Sequence, residues 1–144
     1  MEEIAGNGNG AGSVGKPELK RSMGVWMATE HVASREGGRV TIGHDVEEAV
    51  YEADAVYADV WVSMGEEGER ERRLAKLANY QVTPELMQAA SERAVFMHCL
   101  PAHRGQEVAA EVIDGPRSVV FQQAENRLPT EQAVLQSLIG GGAP

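Results

Sequence analysis

The chain has a single cysteine, Cys99, among its 144 residues. A lone cysteine forms no internal disulfide, which fits a reducing cytosol and sets the expected location as cytoplasmic. Basic residues are also scarce, with 13 Lys and Arg against 22 Asp and Glu and a formal net charge of −9. With no Lys/Arg stripe to neutralise a row of phosphates, the balance argues against a nucleic-acid partner. Long apolar runs are missing as well. Ala94-Val-Phe-Met97 and Ser118-Val-Val-Phe121 fall far short of the ~20 residues that span a bilayer. The first residues are acidic where a targeting segment is basic, so a soluble, untargeted protein without a membrane partner is expected.

What is present suits one folded core: 42% of the residues are hydrophobic, and a chain of this size buries roughly two-thirds of its unfolded surface. Gly6-Asn-Gly-Asn-Gly-Ala-Gly-Ser-Val-Gly15 offers little side chain to pack and reads as a loop or linker. Beyond it, β-rich runs at Val25–Ala28, Arg39–Ile42, Ala55–Asp59, Ala94–Met97 and Ser118–Phe121 alternate with helical spacing at Asp45–Ala53, Glu66–Ala78, Pro84–Ser91 and Thr130–Leu138. A short first strand is expected at Glu3-Ile-Ala5. This alternation predicts a three-layer α/β fold, a mainly parallel, doubly wound sheet of about five strands. Asp45 and Thr83 stand where helix N-caps belong, the latter followed by Pro84 at the first helical position. The charge run from Glu66 to Lys76 reads as a solvated helix face.

In such a sheet ligands gather beyond the carboxyl ends of the strands. Asp59 closes one β-rich run and leads through Trp61 to Ser63-Met64-Gly65, while His98-Cys99-Leu100-Pro101 closes another. Singly, each has a structural role: a buried cysteine, a hydrogen-bonded histidine, a turn aspartate. Together they match the needs of an amino-acid ligand. Asp59 offers an anion for an ammonium, Ser63 and the Met64 amide offer donors for a carboxylate, and Cys99 offers a soft contact beside a reacting amine.

Asp59-Val-Trp-Val-Ser-Met-Gly65, Tyr80-Gln-Val-Thr83, Phe96-Met-His-Cys-Leu-Pro101 and Ala124-Glu-Asn-Arg127 resemble, in order and spacing, segments of the ornithine carbamoyltransferases. Gly6-Asn-Gly-Asn9 and Met23-Gly-Val-Trp-Met-Ala-Thr29 extend the resemblance back, so that it covers nearly the whole chain, but only the second half of a full-length enzyme. The resemblance implies a Rossmann-like fold and transfer of a carbamoyl group from carbamoyl phosphate to L-ornithine, giving citrulline and phosphate without metal or cofactor. It implies that Asp59 and Ser63 hold the α-amino group, that the Met64 amide contacts the carboxylate, and that Cys99 lies beside the δ-amine. The backbone at Cys99 and Leu100 and the Arg127 guanidinium would then reach the carbamoyl group, and a Leu100–Pro101 cis peptide would turn that backbone inward. The family's second turn asparagine aligns with Gly10, leaving Asn9 to substitute.

The division expected is a Gly-rich, eroded strand and turn over 1–18 and an ornithine-binding domain over 19–144. The family's Ser-Thr-Arg-Thr-Arg phosphate loop and His-Pro-x-Gln segment occur nowhere in these residues, so the carbamoyl-phosphate domain is expected to be absent and the chain inactive alone. Ala133, Val134, Leu135 and Leu138 form an apolar stripe that resembles the family's closing helix and points to a homo-oligomer or a full-length relative as partner. Two other readings stand beside this one. A truncated, non-catalytic amino-acid-binding or oligomerising domain would keep the fold alone. A dinucleotide-binding Rossmann module would use Gly10-Ala-Gly-Ser-Val-Gly15 with Glu30, although Pro17 sits where its helix must begin.

Overall fold

The computed structural model describes residues 3–7, 10–14, 23–62 and 70–139, with side chains from residue 28 onward. Its centre is a five-stranded sheet in the order β3-β2-β1-β4-β5. The strands are β1 Glu3–Asn7, β2 Gly10–Val14, β3 Val40–Gly43, β4 Ala55–Ala58 and β5 Val95–His98. β2 and β3 run parallel, as do β4 and β5, whereas β1 is antiparallel to both of its neighbours. The helices are α1 Met23–Arg35, α2 Val46–Val50, α3 Arg70–Leu77, α4 Pro84–Ala89, α5 Ala110–Ile113, α6 Val120–Glu125 and α7 Arg127–Ile139.

β4 and β5 each bury every second residue. Val56 and Ala58 face the same core as Phe96 and His98, with which they are in register. That core continues through Val50, Ala53, Val82, Leu86, Met87, Val108, Val112, Ile113 and Val120. The α4 cap is formed by Thr83 Oγ1, which accepts from the Leu86 N–H, and the α2 cap by Asp45 Oδ1, which accepts from Glu47 and Glu48. Both are the caps expected from sequence.

Three expectations are corrected. Val25–Ala28 lies not in a strand but within α1, because thirteen residues pass there without a proline or an interior stop. Gly37, at φ +76°, ends that helix, and Gly38 N–H returns to the Ala33 carbonyl. Ser118–Phe121 makes one rung with Phe96 and then turns into α6. The sequence continues in the helix formers Gln122-Gln-Ala-Glu125, and the turn buries Val120 in the core. Within the expected glycine-rich loop, Gly10–Val14 is β2, paired with β1 from Asn7↔Gly10 to Glu3↔Val14. Glycine carries little side chain to pack but a full set of backbone donors and acceptors, which is all that a ladder requires.

Candidate functional site at the ends of β4 and β5

Parallel register sets Ala58 opposite His98, so the next residues, Asp59 and Cys99, leave the sheet side by side. Their contact is direct: the Cys99 thiol donates to Asp59 Oδ1 at 2.9 Å. The same oxygen accepts the Val60 N–H at 2.7 Å, and among the described residues Oδ2 takes no hydrogen bond. The thiol is pushed up to about 11, by burial first and then by its hydrogen bond to Asp59 and that residue's charge, while Tyr57 acts in the opposite sense. At neutral pH Cys99 is therefore a proton donor and not a thiolate nucleophile. Tyr57 is raised by burial, an effect countered by a hydrogen bond from Gln123 and reinforced by Cys99 and Asp59.

The loop that follows is held from beneath. Leu100 adopts φ +57°, a region an L side chain enters at a cost of about 1 kcal/mol, and Leu100–Pro101 is cis as expected. Leu100 N–H donates to His98 Nδ1 at 2.8 Å, which places the imidazole proton on Nε2. Nε2 lies 3.4 Å from Glu107 Oε1, and both side chains are fully buried. Burial acts to raise the Glu107 carboxyl, but the nearby His98 ring and the hydrogen bond from the His103 N–H outweigh it and hold the group below its usual range. Farther along, Val82 N–H donates to the Glu107 carbonyl and Ala109 N–H to the Val82 carbonyl, each at 2.9 Å. Arg104 grips Asp114 with two nitrogens, at 2.8 and 2.6 Å.

Of the residues singled out from sequence, Asp59, Cys99 and Leu100 come together here. Arg127 does not join them through any described hydrogen bond. It opens α7, is 69% exposed, and stands 3.7 Å from Glu131. Ser63, Met64 and Asn9 lie outside the described residues. Sequence reasoning passed over Tyr57, Gln123 and Glu107. Tyr57 lies on β4 two residues before Asp59, which follows the strand's end, and that i, i+2 spacing was the one signal open to it. Among the described residues no group of His, Cys, Asp and Glu is placed to hold a metal.

Residues 11–138 match the family described as aspartate/ornithine carbamoyltransferase, Asp/Orn binding domain. The ornithine carbamoyltransferase of Methanothermobacter thermautotrophicus is 52% identical over 86% of this chain, which covers 41% of that protein. That of Nitrosococcus oceani is 60% identical over 72% of the chain and 34% of its own length. The solved structure of the Pyrococcus furiosus ornithine carbamoyltransferase superposes with a TM-score of 0.77 at 47% identity, over 83% of this chain and 38% of the other. The chain thus spans about two-fifths or less of the relatives it matches.

Proposed function

The chain belongs to the aspartate/ornithine carbamoyltransferase family through its Asp/Orn-binding domain, and from that premise we propose that the β4–β5 end binds L-ornithine as the acceptor of a carbamoyl group. The observation that carries this reading is the Asp59–Cys99 pair, a carboxylate and a neutral thiol 2.9 Å apart where two parallel strands end. In the proposed complex the α-ammonium of ornithine meets Asp59 through Oδ2, with Ser63, Met64 and Asn9 on its α-carbon groups. The δ-amine lies against Cys99. The backbone of Cys99 and Leu100, with Arg127, takes the carbamoyl oxygen, where negative charge develops during attack.

The reaction would form a bond from the δ-nitrogen to the carbamoyl carbon, break that carbon's bond to the phosphate oxygen, and pass one proton of the amine to the departing phosphate. A free alkyl amine has a pKa of about 10.4, so the site must admit its neutral form. Cys99 holds its own proton and does not serve as the base. Its thiol donates a hydrogen bond to Asp59, which leaves sulfur lone pairs beside the amine. Carbamoyl phosphate itself needs the phosphate-binding segments that these 144 residues do not contain, so binding of ornithine without turnover is expected of this chain alone. The test is a calorimetric titration with ornithine, using putrescine as the analogue without a carboxylate. Heat with ornithine that disappears in Asp59→Ala supports the reading, and equal affinity in the two proteins defeats it.

A further inference from the structure

The β4–β5 ladder ends at Ala58↔His98, so Asp59 and Cys99 stand past its last rung. Between them runs a thiol hydrogen bond, and a thiol is a weak donor. The strand ends behind them are joined a second way, from the outer margin of the sheet. β5 has β4 on one side and no strand on the other, so its outward backbone groups must find partners elsewhere. Phe96 finds them in the segment entering α6, the Arg117 carbonyl at 2.8 Å and the Val119 N–H at 2.9 Å. Two residues on, the chain has wound into α6 and a side chain takes over. Gln123 Oε1 accepts the N–H of His98, the last residue of β5, at 3.0 Å.

The other half of that amide is engaged as well: Gln123 Nε2 donates to the Tyr57 hydroxyl oxygen at 3.1 Å. An amide oxygen only accepts and an amide nitrogen only donates, so the backbone N–H on one side fixes which way round the group sits. Tyr57 belongs to β4 and stands two residues before Asp59. One half-buried side chain of α6 is thereby bonded to both strands, one residue short of Cys99 and two short of Asp59.

We propose that Gln123 is a positioning residue that sets which length of diamino acid the site accepts. Its bridge holds the ends of β4 and β5 at one separation. That separation fixes the distance from the Asp59 carboxylate, which takes the α-ammonium, to the Cys99 sulfur, which faces the terminal amine. The proposal rests on the reading of Asp59 and Cys99 as the ornithine site and adds to it a determinant of chain length. Gln123 acts through the strand ends and not on the ligand itself.

Two measurements on the 144-residue chain test this: calorimetry with ornithine and with lysine, its homologue one methylene longer, and amide hydrogen exchange followed by NMR. A site of fixed length discriminates against one extra methylene by about tenfold or more, so the parent should prefer ornithine. Gln123→Met keeps a side chain of similar length and removes both polar ends. It is expected to lower the ornithine-over-lysine preference by about threefold or more, the scale of one lost hydrogen bond. Exchange should quicken at His98 but not at Phe96, whose N–H is held by the Arg117 carbonyl. Gln123→Glu keeps an acceptor for the His98 N–H and lets the Tyr57 hydroxyl donate to the carboxylate, so preference and exchange should return to within about twofold of the parent's. The proposal is overturned by a parent without preference, by equal losses for the two amino acids, by quickened exchange at both amides, or by a Gln123→Glu protein no better than Gln123→Met. Ornithine binding that disappears in Asp59→Ala would leave the functional reading standing in each of those cases, whereas equal ornithine affinity of parent and Asp59→Ala would remove that reading and this inference with it.

Discussion

Glu107 shows how much one side chain carries. It is fully buried, accepts the His103 N–H, and faces the His98 ring that holds Leu100 in its left-handed conformation. Its folded pKa lies below the ordinary 4.5. The unfolded chain therefore takes up the proton first, and the stabilisation is fully present above about pH 4.5 and drains away as pH falls through the folded value. Urea unfolding at a series of acidic pH values should show this loss, and Glu107→Gln should flatten it. Glu107→Ala, which strands the His103 N–H and removes the carboxylate facing the His98 ring, is expected to cost about 1–3 kcal/mol. An unchanged urea midpoint would disprove that. In the proposed ligand site the ranking reverses the usual emphasis on cysteine. An ammonium on a carboxylate is worth about 2–3 kcal/mol, and a thiol offers only a weak hydrogen bond. Asp59→Ala should therefore weaken ornithine binding by roughly thirtyfold or more while Cys99→Ala weakens it less, as calorimetry of the two variants would reveal.

Among the elements, β5 is the one most dependent on its neighbours. Phe96 is fully buried, in register with Val56 of β4 and hydrogen-bonded to the segment before α6, and Phe96→Ala should cost about 3–5 kcal/mol in chemical denaturation. Gly115 is a second sensitive point, since a Cβ there would collide with the Glu111 carbonyl oxygen at the end of α5. Gly115→Ala is therefore expected to lower the thermal midpoint, whereas Gly43→Ala, with open space around it, should be milder on that count. β4, β5, α2 and α4 were legible in the sequence because their signals are local: β-rich runs, and Asp45 and Thr83 at the caps. The same locality exposed Asp59 and Cys99, each just past the end of its own strand. α1 and α6 were misread because Val, Trp and Phe favour strands only where a partner strand is in reach. Gln123 meets Tyr57 across 66 positions and His98 across 25, and no window along the chain contains such a pair.

On the proposed reading, the chain would carry the acceptor's half of a reaction. Carbamoyl transfer draws much of its acceleration from holding the amine against the carbamoyl carbon, worth ~7–11 kcal/mol in favourable cases, and the proposed site would contribute the amine's side. Purified chain mixed with ornithine and carbamoyl phosphate is expected to yield citrulline at no more than the background rate, and steady production would contradict this. α7 leaves Leu128, Leu135, Leu138 and Ile139 between 55% and 80% exposed, a stripe that favours self-association. Light scattering should show a mass above the monomer's that falls when Leu135→Glu and Leu138→Glu are introduced together. The sheet itself has two unlike margins. Along β5 the outward donors at Phe96 and His98 are already taken, by the Arg117 carbonyl and by Gln123. Among the described residues β3 pairs with β2 alone, and Thr41 and Ile42 stand exposed on it. A foreign strand that templates on this protein, as in amyloid growth, is therefore expected to find its docking ladder at β3 and to be turned away at the margin where the proposed ligand site lies.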